Sequence, residues 1–354
     1  MFMQLGFRTA LFESAVLMHS SLQGDIVLIS PRSTAIISMK EFTERRLYQA
    51  QGFAGVESVT PIYLDQAVWK NPAVPSKTRN IQIYGIKLKD TVFNLQGISE
   101  NLEKLKQPDT VLFDRGSRAE FGPVVQLFQQ NKSVITEAES RAIKVVGLFT
   151  LGVSFGSDGT LVTSDLNFFR IFSQRHQIGL IDIGLIKLKP GANQAEVIKN
   201  LREHLPNDVR VLSKKEYQDF EVSYWNSSTP IGFIFALGTA MGFIVGMIIV
   251  YQVLYTGISD HLPEYATLKA IGYADFYFTG VVLQSAIILA SLGFFPGFTF
   301  ASGLYSLTRN ATFLPLYMNI DRVVLVFSLT LLMCFISGVI SLNKLRAADP
   351  ADIF

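Results

Sequence analysis

The sequence predicts an α+β soluble domain joined to an α-helical membrane domain. Three observations predict it. Charge is unevenly spread: of 31 Lys and Arg, only Lys269, Arg309, Arg322, Lys344 and Arg346 lie beyond residue 225, and of 29 Asp and Glu, only Asp260, Glu264, Asp275, Asp321, Asp349 and Asp352 do. Three uncharged runs follow, over residues 231–255, 276–307 and 323–342. Each reaches the roughly 20 residues that a helix needs to cross about 30 Å of hydrocarbon. The polar first part alternates Val- and Ile-rich stretches with helical ones, as a mixed domain does. The chain thereby divides into a helix over residues 1–22, an α+β domain over 23–212, a helix over 213–228 and a membrane domain over 229–354, with a short helix at 260–273 between the first two spans.

In the opening helix, MFMQLGFRTALFESAVLMHS, residues Phe2, Leu5, Phe12, Ala15, Val16 and Leu22 fall near one side. Arg8 and Glu13 interrupt it too early for the apolar stretch of a signal peptide. Either the α+β domain stays on the side of synthesis, or the chain begins inside a longer helix; the residues leave both open. Within 23–212, GDIVLIS, TRNIQIYGIKL, RAIKVVGLFTL and IDIGLIKLK read as strands, and KEFTERRLYQAQGF and ANQAEVIKNLREHL as helices. Two strand–helix–strand units result, one from GDIVLIS to VESVTPIYL and one from IDIGLIKLK to DVRVLS, which suggests a split, ferredoxin-like arrangement. The middle strands are expected to form a second lobe. Ser213-Lys-Lys-Glu216 is a capping box that opens SKKEYQDFEVSYW, readable as an ordinary linker helix or as a stalk to the membrane.

Trp225, Tyr224, Tyr305 and Tyr317 flank the three runs, as interfacial aromatics do. An odd number of spans places the first domain and the C-terminal tail on opposite sides of the membrane. Lys344 and Arg346 tip the balance of basic residues slightly towards a cytoplasmic tail. Gly238, Gly242 and Gly246 repeat at four-residue spacing along one face of the first span, and Gly293 and Gly297 repeat it around Pro296 in the second. Without a Cβ, helix backbones approach closely there, which marks Gly238, Gly242 and Gly246 as helix-packing positions, within the chain or between two copies.

Catalytic signatures are missing from the sequence. No phosphate-binding G-x-x-x-x-G-K-[ST], no H-E-x-x-H and no G-x-S-x-G occurs, and His19, His176, His204 and His261 are scattered. Cys334 is the single cysteine, which rules out a disulfide or cysteine metal site within one chain. Asp114, Arg115, Arg118 and Glu120 cluster in DRGSRAEFG and read as a solvated helix start. A net charge of +2 suggests no nucleic acid. The spans lack Asp, Glu, Lys and Arg, against the ion-coupled transporters that keep such groups at membrane depth. The residues thus assign no catalytic, metal or cofactor-binding position.

The short helix lies in SDHLPEYATLKAIGYAD. Asp260 or His261 can cap it, Pro263 fits its first turn, and Gly272 can end it in the left-handed conformation. Tyr265, Leu268 and Ile271 make an apolar stripe. Such a helix could lie on lipid. With Lys269 as its one basic residue, attraction to anionic lipid is weak, and the stripe reads better as a docking face for another protein.

A long span, then EYATLKAIGY, then two further spans and a tail containing LRAADP resembles the MacB/FtsX superfamily of ABC-transporter permeases. Within it, MFMQLGFRTALFESAV, GDIVLISPRS and LRAADPADIF are similar to the DevC-type permease. The resemblance covers nearly the whole chain. It implies a four-span topology with a periplasmic α+β domain between the first and second spans, of which MFMQLGF matches only the outer end of the first span. The rest of that span is then expected upstream of Met1.

The resemblance further implies a non-catalytic subunit of the inner (plasma) membrane, acting as a homodimer with a separate ABC ATPase. In the DevC-type system a membrane-fusion protein and an outer-membrane tunnel protein complete an exporter linked to glycolipid export. The loop helix would be the cytoplasmic coupling helix that docks on the ATPase, through Glu264, Tyr265, Leu268, Lys269, Ile271 and Gly272. Residues 1–22 and 213–228 would be stalks that carry motion to the periplasmic domain. An FtsX-like regulator of a periplasmic hydrolase is the alternative. A neighbouring gene for a fusion protein would favour export, and one for a hydrolase would favour regulation.

Overall fold

The computed structural model describes residues 1–347; residues 348–354, the end of the LRAADPADIF tail, lie outside the described residues. Contacts divide the chain into two units, Leu11–Ser228 and a second that joins Met1–Ala10 to the residues from Thr229 onward. In chain order the first unit follows α1 (Phe2–Ala15) with α2 (Leu17–Ser21), β1 (Ile26–Ile29), β2 (Phe42–Thr43), α3 (Arg45–Gln51), β3 (Val56–Lys70), β4 (Thr78–Ile86) and β5 (Thr110–Asp114). It continues with α4 (Val124–Gln129), β6 (Val134–Ala138), β7 (Arg141–Phe149), β8 (Thr160–Ser164), α5 (Asp165–Ile171), β9 (Leu180–Ile181), β10 (Ile183–Leu188), α6 (Gln194–His204), β11 (Arg210–Ser213) and α7 (Lys214–Ser223). The second unit adds α8 (Pro230–Asp260), α9 (Leu262–Ala270), α10 (Asp275–Thr312) and α11 (Ile320–Ala347) to the start of α1. The molecule is a mixed α/β domain followed by three long apolar helices.

One nine-stranded sheet carries the first unit, in the order β11-β1-β10-β3-β4-β8-β5-β7-β6. Its first four strands are mutually antiparallel neighbours built from β1–α3–β3 and β10–α6–β11, the split arrangement that the two strand–helix–strand units suggest. The middle strands differ from a detached lobe. At 15 residues, β3 is long enough to serve two neighbourhoods. It pairs with β10 up to Ile62 and with β4 from Ile62 onward, and Pro61 sits at this exchange of partners. Strand β6 then returns to β3 at Ala138 and Trp69, so that β3, β4, β8, β5, β7 and β6 close a ring.

Both faces of the sheet are covered. Alternation puts Ile26 and Leu28 of β1 in one core with Leu47, Trp69, Phe113 and Phe168. The intervening Val27 and Ile29 join Ile62, Tyr84, Phe149 and Tyr217 in the other. Trp69 is wholly buried and donates its indole N–H to the Phe121 carbonyl at 3.0 Å, so the closing pair of the ring is also a packing centre. The helix expected over KEFTERRLYQAQGF is shorter than its pattern, because Phe42 and Thr43 leave it to pair with Ile181 and Leu180. At the other end, the Ser213–Glu216 capping box forms in both directions and opens α7, which passes through a π-turn at Tyr224–Ser228 before Pro230 begins α8.

In the second unit, α8, α10 and α11 are each long and apolar enough to cross a membrane. The middle helix α11 touches both of the others, which barely meet. Its small residues allow this: the hydroxyl of Ser337 donates to the Met247 carbonyl at 2.8 Å, and Gly338 lies against Ala286 and Val282. Residues 1–10 form part of the same unit, with Phe2 against Phe294 and Phe298, and Tyr305 donating its hydroxyl to the Phe2 carbonyl at 2.5 Å. Helix α10 continues through Pro296.

Candidate functional site

The loop between the first two long helices forms a short helix as the sequence predicts, but without the expected side-chain cap: Asp260 ends α8, and His261 makes no cap bond to the backbone. Helix α9 starts at Leu262 with Pro263 in its first turn, and His261 Nδ1 meets Glu264 Oε2 at 3.0 Å. Its end is a paired carbonyl cap: Gly272 N–H bonds the Lys269 carbonyl and Tyr273 N–H bonds the Leu268 carbonyl. This geometry needs the positive φ of 104° that Gly272 supplies.

The apolar stripe splits between two duties. Tyr265 and Leu268 turn inward onto Ile258, Phe278, Val282 and Leu342, and the Tyr265 ring stands edge-on to Phe278 at 5.8 Å. Burial pushes the Tyr265 phenol above its usual pKa. Ile271, by contrast, is 71% exposed, with Glu264 and Gly272 exposed beside it and Lys269 half-buried. The outward face is therefore Glu264, Ile271 and Gly272, with Pro263 and Thr267. Tyr265 and Leu268 fix the helix to the ends of α8, α10 and α11. Helical spacing alone could not separate the two sets, because Leu268 and Ile271 are neighbours on one side and differ only in what the loop leaves uncovered.

The glycines of α8 face inside the chain. A Cβ on Gly238 would meet the end of the Gln4 side chain at 2.8 Å, Gly242 lies against Met1, and a Cβ on Gly246 would run into the thioether of Met333. The stripe thus receives the start of α1 and one side chain of α11. Gly293 and Gly297 have open space around them.

Charged groups in the first unit are mostly structural. Asp114 ends a strand, unlike the solvated helix start expected of DRGSRAEFG. It is fully buried and accepts backbone N–H groups of Leu151, Gly116 and Gly152 at 2.8–3.0 Å. Burial outweighs those bonds and raises its pKa. Arg118 and Arg79 both pair with Asp158. Near α7, buried Glu221 accepts from Ile36 N–H and from the Trp225 indole, each at 2.8 Å, with His19 Nε2 at 3.6 Å. One grouping among the described residues could hold a metal: Glu41, His176 and Asp182. No local signal joins them, since 135 residues separate Glu41 from His176.

A large mixed α/β domain, three membrane-crossing helices and a short capped helix on their connecting loop define a membrane protein with a folded domain outside the bilayer. Residues 232–350 match the family model of the FtsX-like permease C-terminal domain, a stretch that takes in α8 to α11 and their loop helix. No curated protein matches the chain. Among solved structures, it is similar to the periplasmic region of MacB from Actinobacillus actinomycetemcomitans, at 12% identity and a TM-score of 0.37, covering 56% of this chain and 92% of that one. It is also similar to the extracellular domain of the noncanonic ABC-type transporter YknZ from Gram-positive bacteria, at 13% identity and a TM-score of 0.36, covering 54% of this chain and 100% of that one. A domain of a putative permease protein from Porphyromonas gingivalis is similar at 13% identity and a TM-score of 0.31, covering 55% of this chain and 90% of that one.

Proposed function

We propose that this chain is the permease subunit of an ATP-driven exporter of the MacB/FtsX type. The observation that carries the reading is the FtsX-like permease match over residues 232–350, with α9 held between α8 and α10 inside it. ATP hydrolysis is assigned to a separate ABC ATPase, the partner that the permease reading implies. Helix α9 is the coupling helix, and its exposed Glu264, Ile271 and Gly272 meet the ATPase while Lys269 lies at the margin of the contact. Two copies form the working unit. Closure of the ATPases moves α9, and the inward Tyr265 and Leu268 pass that displacement to the ends of the spans. The helices on either side of the α/β domain, residues 1–22 and 213–228, then act as stalks. The finer reading is a DevC-like tripartite exporter of glycolipid or another hydrophobic cargo, with a membrane-fusion protein and an outer-membrane tunnel protein. It is supported by the similarity of MFMQLGFRTALFESAV, GDIVLISPRS and LRAADPADIF to that type.

Ile271→Asp tests the reading. It places a charge on the outward face and disturbs no internal contact. The variant is expected to insert and fold as the parent does, while co-purification of the ATPase falls at least tenfold and export stops. Undiminished ATPase binding by Ile271→Asp would remove α9 as the coupling helix. Leu268→Asp is the weaker probe, because it also breaks the packing on Phe278 and Val282.

A further inference from the structure

Three carboxylates surround His176 in the first unit. Asp65 Oδ2 lies 3.1 Å from Nε2, and Glu41 Oε1 lies 2.6 Å from Nδ1. The donor atoms of Glu41, His176 and Asp182 all fall within 4.8 Å of one another. The His176 side chain is 8% exposed. Its Nδ1 and the facing Glu41 Oε1 are both shut off from solvent, and neither has a hydrogen-bond partner at acceptable geometry. Asp182 is buried too, and one of its oxygens accepts the Leu64 N–H at 2.8 Å.

Glu41 and Asp65 flank the two ring nitrogens of His176, and Asp182 closes the third side. Among the described residues, the one Lys or Arg within ion-pair distance of the three carboxylates is Arg175, 3.4 Å from Asp65. That guanidinium is shared with Glu139 and lies over the Phe172 ring. Asp208, across the same cleft, is held by Arg46. A cation here, a proton on the imidazole or a metal ion, lowers the cost of holding these carboxylates together. Glu41, His176 and Asp182 line a cleft of about 830 Å³ whose wall also carries Lys40, Arg32, Asp65 and Arg175.

We propose that Glu41, His176 and Asp182 form a binding site for a divalent transition-metal ion, zinc by donor chemistry. Asp65 is the positioning residue. It accepts from Nε2–H and fixes the tautomer that leaves the Nδ1 lone pair for the ion, an arrangement common behind metal-bound imidazoles. One imidazole nitrogen and two carboxylates suit zinc, and the cleft leaves a fourth position for water. Tetrahedral zinc sets its donors about 3.3 Å apart. Glu41, half-buried at the cleft, therefore swings outward by less than about 1 Å on binding. Glu41 directly precedes β2 and Asp182 directly follows β9, so the ion latches this two-stranded ribbon to β3 through His176 and Asp65. The site is independent of the permease reading.

The full chain in detergent, stripped with a chelator, is titrated with zinc chloride by calorimetry, with metal analysis after gel filtration. About one zinc per chain is expected, unaffected by equal magnesium, together with a rise in Tm. Glu41→Gln, which keeps the shape of the side chain, should weaken binding at least tenfold with near-parental Tm in the stripped state. His176→Gln should abolish binding. Absence of zinc binding by the folded parent would overturn the site, as would parental affinity in Glu41→Gln. An imidazole nitrogen spectrum showing His176 doubly protonated under saturating zinc would assign the cluster to a proton and overturn the proposal as well.

Discussion

Asp109 shows how one side chain can be read twice. Its backbone is left-handed, with φ of 57°, a conformation that Asp and Asn tolerate better than most residues. Its carboxylate binds Arg141 at 2.6 Å and Arg170 at 3.2 Å. The Arg141 hydrogen bond chiefly holds the carboxyl below the usual carboxylate range, with partial burial opposing it. Asp109→Asn keeps the backbone and loses the ion pairs, at a cost of up to about 1 kcal/mol for pairs this exposed. Because the native value lies below the unfolded one of about 3.9, the contribution is full above that pH and is lost as pH falls through the lowered native value. Thermal unfolding of parent and variant should therefore show a Tm gap at neutral pH that closes in acid. A gap of unchanged size in acid would mean that the loss is not electrostatic. Nothing in the sequence signals this site, since its partners lie 32 and 61 residues away.

Helix packing is the element-scale question, and glycine is its currency. A Cβ on Gly6 would overlap the Tyr305 ring, which is fixed by its hydrogen bond to the Phe2 carbonyl and by Arg322 5.6 Å above it. A Cβ on Gly238 meets only the far end of Gln4, which can move aside. Gly6→Ala should therefore cost about 1–3 kcal/mol as an overpacked contact. Gly238→Ala should cost less than about 1 kcal/mol. Thermal melts of the two variants in detergent compare them, and an equal or reversed order would contradict the packing of α1 on α10. The four-residue glycine spacing marks α8 as a close-packing helix. It cannot name the partner, because Gln4, Met1 and Met333 come from opposite ends of the chain. The loop helix behaves alike: its Gly272 end is local and legible, whereas the inward turn of Tyr265 and Leu268 depends on Phe278 and Leu342.

The permease reading makes a topological prediction for the whole molecule. With α8 as a membrane span, it places the α/β domain and α9 on opposite sides of the membrane. Cys334 is buried and is the single cysteine, so a Cys334→Ser background is blank. In it, Ile178→Cys, at a position 89% exposed in the α/β domain, should react with an impermeant maleimide added outside intact cells. Ile271→Cys should react only after the cells are opened. Labelling of both positions from one side would overturn the topology and, with it, the coupling role of α9.

The sequence by itself determined the membrane spans, the charge-rich first domain, the Ser213–Glu216 capping box and the two strand–helix–strand units. These are properties of short windows, where composition, period and capping act within a few residues of one another. Tertiary structure decided the rest. It made the middle strands part of one sheet through the shared β3, a non-local pairing that no window contains. It turned Tyr265 and Leu268 inward and left Ile271 outward, because coverage depends on which distant helix ends lie beneath the loop. It also gathered Glu41, Asp65, His176 and Asp182 from three separate stretches around one imidazole, since only the folded sheet brings those stretches within reach of a single ion.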